Sequence, residues 1–507
     1  HISLSLNNKT TTTTVAAVFA NMAAFNLSGL KRKDLFQVPS LSGTTFEVRN
    51  PATLKAIATL PEMDATDTER AIEFAHEAFK SYKKTSARQR ARWLRRWSDL
   101  CLENMDDLAL ILTLENGKTI AESRGEVAYG ASFLEWFAGE AERTYGDVVP
   151  AANTSQRILT IKEPIGVAAI LVPWNFPMAM ITRKVGAALA AGCTTVWKPA
   201  GETPLSALAQ ATLAQEAGVP AGAINVITTL TKVAEVGRAL CESKLVRKLS
   251  FTGSTNIGKL LTRQCAGSLT KLSLELGGNS PFIVFDDAKF ETAVEACIQA
   301  RTRNAGQTCV SANRIFVQDG IYGRFTGALV NRLKELKVGL GTAEGVSIGP
   351  LTHERAVEKA LNHVNDAKAR GASVLLGGAS FQPDGLPGYF IQPTILSDVS
   401  PESLSTHEET FAPIFALYRF KTEEEVLKIA NACDVGLGSY IMTESVARMW
   451  RVAESLEVGM VAVNQGSVSA CESPFGGIKE SGYGREGGRH GIEEYLTVKS
   501  ILINLAD

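Results

Sequence analysis

The sequence predicts an α/β protein, a doubly wound parallel sheet followed by a second α/β unit, on three observations. Short apolar runs alternate with helix-like stretches from about residue 160 to 275, the pattern of strands and helices wound around one sheet. The same rhythm restarts near 276 and continues to about 470. Hydrophobic residues are 45% and charged residues 21% of the 507, ordinary for a folded chain, and this length suits about three domains or two large ones.

In chain order, residues 1–33 hold no Asp or Glu and are rich in Thr, Ser and Asn. A disordered leader is expected over 1–34; the alternative is an added leader with the native start at Met22. The match to a transit peptide is poor because Arg is absent before Arg32. "TDTERAIEFAHEAFKSY" reads as a helix with Ala71, Phe74, Ala75 and Phe79 near one face and Thr66 or Thr68 as its cap. "SARQRARWLRRWSDLCLENM" carries five arginines around Trp93, Leu94, Trp97 and Cys101. It suits an amphipathic helix with a basic outer face better than an anion-binding patch. "RILTIKEP" and the late "EEYLTVKSILINL" alternate apolar and polar residues outside either rhythm. They are expected to form an oligomerisation element from 144–164 and 488–507.

"IGVAAILVP", "TTVWKP", "INVITT" and "VRKLSFTGS" are the strands of the first unit, apolar throughout as buried parallel strands are. The helices between them are "ITRKVGAALAAG", ended by Gly192, then "TPLSALAQATLAQEAG" and "VAEVGRALCES". The second unit starts with the strand "PFIVFDD", the helix "KFETAVEACIQARTRNAG" and the strand "RIFVQD".

Several function classes are disfavoured. Lys+Arg total 52 against Asp+Glu 53, which removes the electrostatic footprint of a nucleic-acid binder. Eight cysteines are scattered without a CxxC, so a disulfide framework is not expected and a reducing compartment is, cytoplasm or mitochondrial matrix. Six histidines, none closer than His353 and His363, do not make a metal site. The uncharged runs 10–30 and 164–182 are too polar or too rich in proline to span a membrane.

Some residues invite chemistry. In "FTGSTNIGK", Gly253 and Gly258 bracket a strand-to-helix turn whose amides suit a pyrophosphate. Without the third glycine of a dinucleotide fingerprint, an ordinary turn fits as well. Lys198 ends a strand at the edge where open α/β sheets bind ligands, or is a surface lysine. Cys309 in "NAGQTCVS" has small polar neighbours, unlike Cys297 in "AVEACIQA", yet an isolated cysteine is more often structural. Glu275 precedes Gly277 and Gly278 at the junction of the two units, where a carboxylate is either a base or solvated.

The combination is more specific than its parts. "PWNFP", "WKPAGETP", "FTGSTNIG", "LELGGNSP", "GQTC", "EETFAP" and "PFGGIKESGYGREGG" occur in that order. Their order and spacing resemble the NAD(P)-dependent aldehyde dehydrogenase superfamily over about residues 35–505. "PWNFPMAMITRKVGAALAAGCT", "RNAGQTCVSANRI" and "GYGREGG" look most like the succinate-semialdehyde dehydrogenases. The resemblance implies a Rossmann-type NAD(P)-binding domain, 35–143 with 165–275, a catalytic domain, 276–470, and a small β element that joins subunits into a homodimer or homotetramer.

It also implies roles. Cys309 resembles the nucleophile, Glu275 the general base and Asn175 the oxyanion donor. Trp174, Lys198, Pro199, Ala200, Gly201, Gly253, Ser254, Gly258, Glu409 and Phe411 match cofactor contacts. Arg183, Arg303 and Ser469 match a clamp for a substrate carboxylate, which an arginine fork suits. The expected reaction is oxidation of succinate semialdehyde to succinate. Alternatives are another small or carboxylated aldehyde, such as glutarate semialdehyde, or a non-catalytic scaffold. Three positions depart from the pattern. Ser311 stands where a second cysteine is common, so a thiol-pair switch there is not expected. Ala412 stands where the family has glycine. Gly201 replaces an acidic residue, which leans the cofactor towards NADP, or both NADP and NAD.

Overall fold

The computed structural model describes residue 27, residues 29–36 and residues 43–505. Most of the expected 1–34 leader lies outside them. Its described end is packed, contrary to the expectation. Leu27 and Leu30 are buried in the same core as Leu35, Leu94 and Trp97, and the Lys31 and Arg32 N–H groups donate to the Asp107 carboxylate at 3.0 and 2.9 Å.

Six strands form the first sheet, in the spatial order Gly482–Tyr483, Lys271–Glu275, Val246–Thr252, Val167–Leu171, Thr194–Lys198, Ile224–Val226. All neighbours are parallel except the first pair. Val167–Leu171 and Thr194–Lys198 are buried at every position, because helices cover both faces. That is why they read as unbroken apolar runs. Ala179–Ala191 stops at Gly192, whose φ of 100° a residue with Cβ resists. Strand order reverses between Val167–Leu171 and Val246–Thr252, and the crevice at such a switch point is where open α/β sheets take ligands.

The helix Ala65–Tyr82 corrects the expected cap. Asp64, not Thr66 or Thr68, accepts from the N–H groups of Thr66 and Asp67, and the Asp67 side chain reciprocates. The buried stripe is Thr68, Ala71, Ile72, Ala75 and Tyr82, while Phe74 is 57% exposed. In Ala87–Glu103, Arg90 leaves the basic outer face. It is buried and donates to the Ala190 carbonyl at 2.8 Å.

The second sheet has seven strands, in the order Ser373–Leu376, Thr394–Ser397, Ile414–Phe420, Arg314–Gln318, Pro281–Val284, Gly438–Met442, Met460–Val463. Only its first pair is antiparallel. The third sheet pairs Gln156–Pro164 with Leu496–Asn504 antiparallel, from Leu496 opposite Pro164 to Asn504 opposite Gln156, with Val148–Val149 on the other edge. Between the two domains runs the "PFGGIKESGYGREGG" segment, whose strand Gly482–Tyr483 joins the first sheet beside Glu275.

Candidate active site

The site forms where the carboxyl ends of the first sheet face the second domain. Glu275 ends its strand, and its backbone carbonyl accepts the Gly253 N–H at 3.0 Å. Its side chain is 2% exposed, and neither carboxylate oxygen has a hydrogen-bond partner. Burial drives its pKa well above the usual carboxylate range and the nearby Glu486 charge adds to the effect, against the pull of Arg183, Lys184 and Arg485. A carboxyl in that state binds a proton firmly, as a general base must.

Cys309 lies on the loop that follows the helix Phe290–Thr302. Asn304, Ala305 and Gly306 are all left-handed, with φ of 51°, 54° and 75°, a costly conformation for the first two. Contacts from three directions hold it. The Asn304 N–H donates to Glu122 at 2.7 Å, the Gln307 carboxamide accepts the Thr352 N–H at 2.9 Å, and Asn304 Nδ2 donates to the Asn175 carbonyl at 2.9 Å. At Gly306 a Cβ would come within 2.5 Å of the Ala412 carbonyl, and Ala412 is itself buried. Cys309 is half-buried beside Val310, Leu437, Met460 and Phe475. Burial pushes its thiol up to about 12; Arg183 opposes this, while Glu409 and Glu275 add to it. Ser311 donates to the Ala300 carbonyl and accepts from Arg301.

Asn175 is buried on the loop after Val167–Leu171. Its Nδ2 donates to the Gln307 carbonyl at 3.1 Å, on the loop that carries Cys309. An amide nitrogen has two hydrogens, and the second remains for a substrate oxygen.

Arg183 and Arg303 differ. Arg183 is 3% exposed, its Nε pairs with Glu486, and its guanidinium lies 4.2 Å from the Phe475 ring centroid. Glu486 also takes Lys184 and is held below the usual carboxylate range, its charge sustained by both cations against burial. Arg303 is half-buried, 4.8 Å from the Phe176 ring centroid and 5.7 Å from that of Tyr129. The Tyr129 hydroxyl shares a hydrogen bond with Ser469.

The residues expected to contact the cofactor are placed as follows. Trp174 packs edge-on to Phe411 at 5.7 Å between centroids. Lys198, Pro199 and Ala200 are buried, and burial lowers the Lys198 pKa despite Glu202 and Glu62 nearby. Gly201 abuts the next loop, where a Cβ would lie 2.7 Å from the Thr229 carbonyl. Gly253 is not a free donor, because its N–H is taken by Glu275, and it packs instead against the Phe251 ring. Gly258 fits against Leu276. Ser254 precedes the helix Thr255–Cys265 without a side-chain cap, so the first-turn amides remain open to an anion. Glu409 is half-buried with one unpartnered carboxylate oxygen, and burial pushes it up to about 7. An uncapped helix start, a buried lysine and exposed Leu230, Val233 and Ile257 fit the phosphates and rings of a dinucleotide.

A sequence model described as the aldehyde dehydrogenase family matches residues 38–501. The chain belongs to this family. Among curated relatives it is 50% identical to 3-sulfolactaldehyde dehydrogenase of Pseudomonas putida over 92% of this chain and 95% of that one. It is 51% identical to a glutarate-semialdehyde dehydrogenase of Pseudomonas putida, and 50% identical to an NADP(+) succinate-semialdehyde dehydrogenase of Escherichia coli, each over 92% of this chain and 95% of the relative. A crystal structure of succinate-semialdehyde dehydrogenase from Burkholderia pseudomallei superposes with a TM-score of 0.91 at 48% identity, covering 94% of this chain and all of that one.

Within the family frame, sequence reasoning missed Lys184, Glu486 and Tyr129. Glu486 stands inside the quoted "GYGREGG", and Lys184 follows Arg183. Two adjacent cations in a stretch otherwise buried and apolar were a signal that an anion must meet them.

Proposed function

We propose that this aldehyde dehydrogenase oxidises succinate semialdehyde to succinate with NADP or NAD. The observation that carries the substrate is Arg303. Among the described residues no carboxylate pairs with it, and two aromatic rings and the Tyr129–Ser469 hydroxyls surround it. That arrangement suits the distal carboxylate of a short aldehyde acid.

The Cys309 thiol gives its proton to the nearby Glu275 carboxylate, which passes it to water; the sulfur adds to the aldehyde carbon, and Asn175 with the Cys309 N–H stabilises the resulting thiohemiacetal oxygen. Loss of one such donor costs about 3–4 kcal/mol of barrier. Lys198, the open amides after Ser254, Glu409 and Phe411 would hold a dinucleotide, whose nicotinamide would supply the acceptor for the hydride that the thiohemiacetal carbon gives up. The remaining thioester on Cys309 is hydrolysed by water whose proton goes to Glu275, releasing the acid and the Cys309 thiolate. Gly201 carries no carboxylate against a 2′-phosphate, which supports use of NADP.

The third sheet supports a homodimer or homotetramer. Its outer strand Leu496–Asn504 leaves Val498 68% and Leu502 60% exposed, an apolar edge that lone chains avoid. Cytoplasm or mitochondrial matrix is supported by eight free cysteines, and among the described residues no helix is long and apolar enough to cross a membrane.

The test is steady-state nicotinamide reduction with succinate semialdehyde, glutarate semialdehyde, 3-sulfolactaldehyde and butanal, each with NAD and NADP, on wild type and Cys309→Ala. Highest kcat/KM for succinate semialdehyde, abolished in the variant, is the expected result. Preference for a longer or sulfonated aldehyde discards the substrate and keeps the clamp. Preference for butanal discards both, and NAD far ahead of NADP discards the cofactor preference.

A further inference from the structure

We propose that Glu122, Glu126 and Lys118 are positioning residues that lock the two loops of the oxyanion site to one helix. The proposal rests on the reading that Asn175 donates to the substrate oxygen. The two loops come from different domains. Asn175 follows a strand of the first sheet, and Cys309 follows a helix of the second domain. The helix Ile120–Ala141 starts beside both.

Its first turns hold each loop by a separate carboxylate. Glu122 uses one oxygen for the capping box with Thr119 and the other for the Asn304 N–H at 2.7 Å. Glu126 follows at i+4, on the same face. One of its oxygens accepts the Met178 and Ala179 N–H groups at 2.9 and 3.2 Å. The other pairs with Lys118 Nζ at 2.5 Å. Lys118 also donates to the Asn175 carbonyl at 2.7 Å, the same oxygen that accepts Asn304 Nδ2, and sits 4.0 Å from the Phe176 ring centroid.

Lys118 and Glu126 are each 1% exposed. A buried ion pair adds little stability over an apolar pair of the same shape, so its contribution here is geometry. The pair fixes the Asn175 backbone from behind, and Glu122 fixes the turn that leads to Cys309. The Asn175 amide and the Cys309 thiol therefore share one rigid support, although their positions, 175 and 309, lie 134 apart in the chain. Catalytic groups lose rate when such supports let them drift.

The experiment compares Lys118→Met with wild type in three readouts: the pre-steady-state rate of nicotinamide reduction, the dinucleotide Kd, and the rate of Cys309 alkylation by iodoacetamide, which needs no oxyanion donor. Reduction should slow by about tenfold or more, but by less than the roughly hundred- to thousandfold that loss of an oxyanion donor costs. Kd and alkylation should stay within about threefold, and in an Asn175→Ala background the Lys118→Met effect should shrink to less than about threefold. An undiminished effect in that background, or alkylation that falls with turnover, overturns the proposal. If Lys118→Met does not fold, Glu122→Ala against Glu122→Gln carries the same test. Gln keeps an acceptor for the Asn304 N–H and should restore the rate that Ala loses; equal loss in both overturns it. Full activity in Asn175→Ala alone refutes the oxyanion reading instead.

Discussion

Arg183 and Arg303 both stand near Cys309, on opposite sides of a division between a closed interior and an open mouth. In the interior, Arg183 and Lys184 are buried against Glu486, and this triad in turn acts on Glu275. At the mouth, Arg303 is half-buried, cradled by Phe176 and Tyr129, without a carboxylate partner among the described residues. The same side chain serves two ends because burial decides what its charge can do. A buried guanidinium must be compensated by the protein, and this one pulls the Glu275 pKa down against the burial that raises it. A half-solvated one can keep its fork for a ligand.

The largest break in this comparison is expected from Glu486→Gln. It leaves two buried cations without their anion, which costs about 3–5 kcal/mol of stability. It also removes a charge that raises the Glu275 pKa and frees two that lower it. The reactive form of Glu275 is the deprotonated one, present above its pKa. Deacylation therefore falls as pH drops through that pKa, and in Glu486→Gln this acid limb moves to lower pH. A pH profile of kcat with a thermal melt measures both effects; an unmoved limb would disconnect the triad from the base.

At the mouth, Arg303→Leu should raise KM for succinate semialdehyde about 10- to 100-fold, the equivalent of a charge-assisted hydrogen bond of 1.5–3 kcal/mol, and leave butanal unchanged. Equal losses on both aldehydes would mean that Arg303 supports the fold of the mouth and does not read charge. Tyr129→Phe removes only the hydroxyl bonded to Ser469. A rise of about three- to tenfold in the same KM is expected from a neutral hydrogen bond, and kinetics with both aldehydes again separates binding from packing.

The smallest effect is expected away from both regions. Glu409 titrates at about 7 because it is buried. Its carboxylate, the form suited to accept from a ribose hydroxyl, is lost as pH falls through 7. Dinucleotide affinity should weaken modestly below that pH in wild type and be flat with pH in Glu409→Gln, read by fluorescence titration.

Local features were legible in the chain. Thr194–Lys198 reads as a buried strand because both its faces are covered, and Gly192 marks a helix end because few other residues adopt its conformation. The two alternating segments at 156–164 and 496–504 do pair, since period two is the mark of a strand with one wet face. Cys309, Glu275 and Asn175 were reached through ordered motifs, and the fold brings their loops to one place. The cap at Asp64 was missed because Asp64, Thr66 and Thr68 are all competent acceptors within five residues, and only the path of the entering chain selects one.

The alternation of apolar and polar residues, with its glycines and caps, was enough to specify the α/β class and most of its elements, because those choices depend on near neighbours. The pairing of charges was left to the folded state. Glu486 meets Lys184 across 302 residues, and Tyr129 meets Ser469 across 340. No periodicity encodes such contacts. They are settled when burial removes water from a charge and the chain must bring it a partner. For that reason the division between a self-compensated Arg183 and an available Arg303 belongs to the tertiary structure alone.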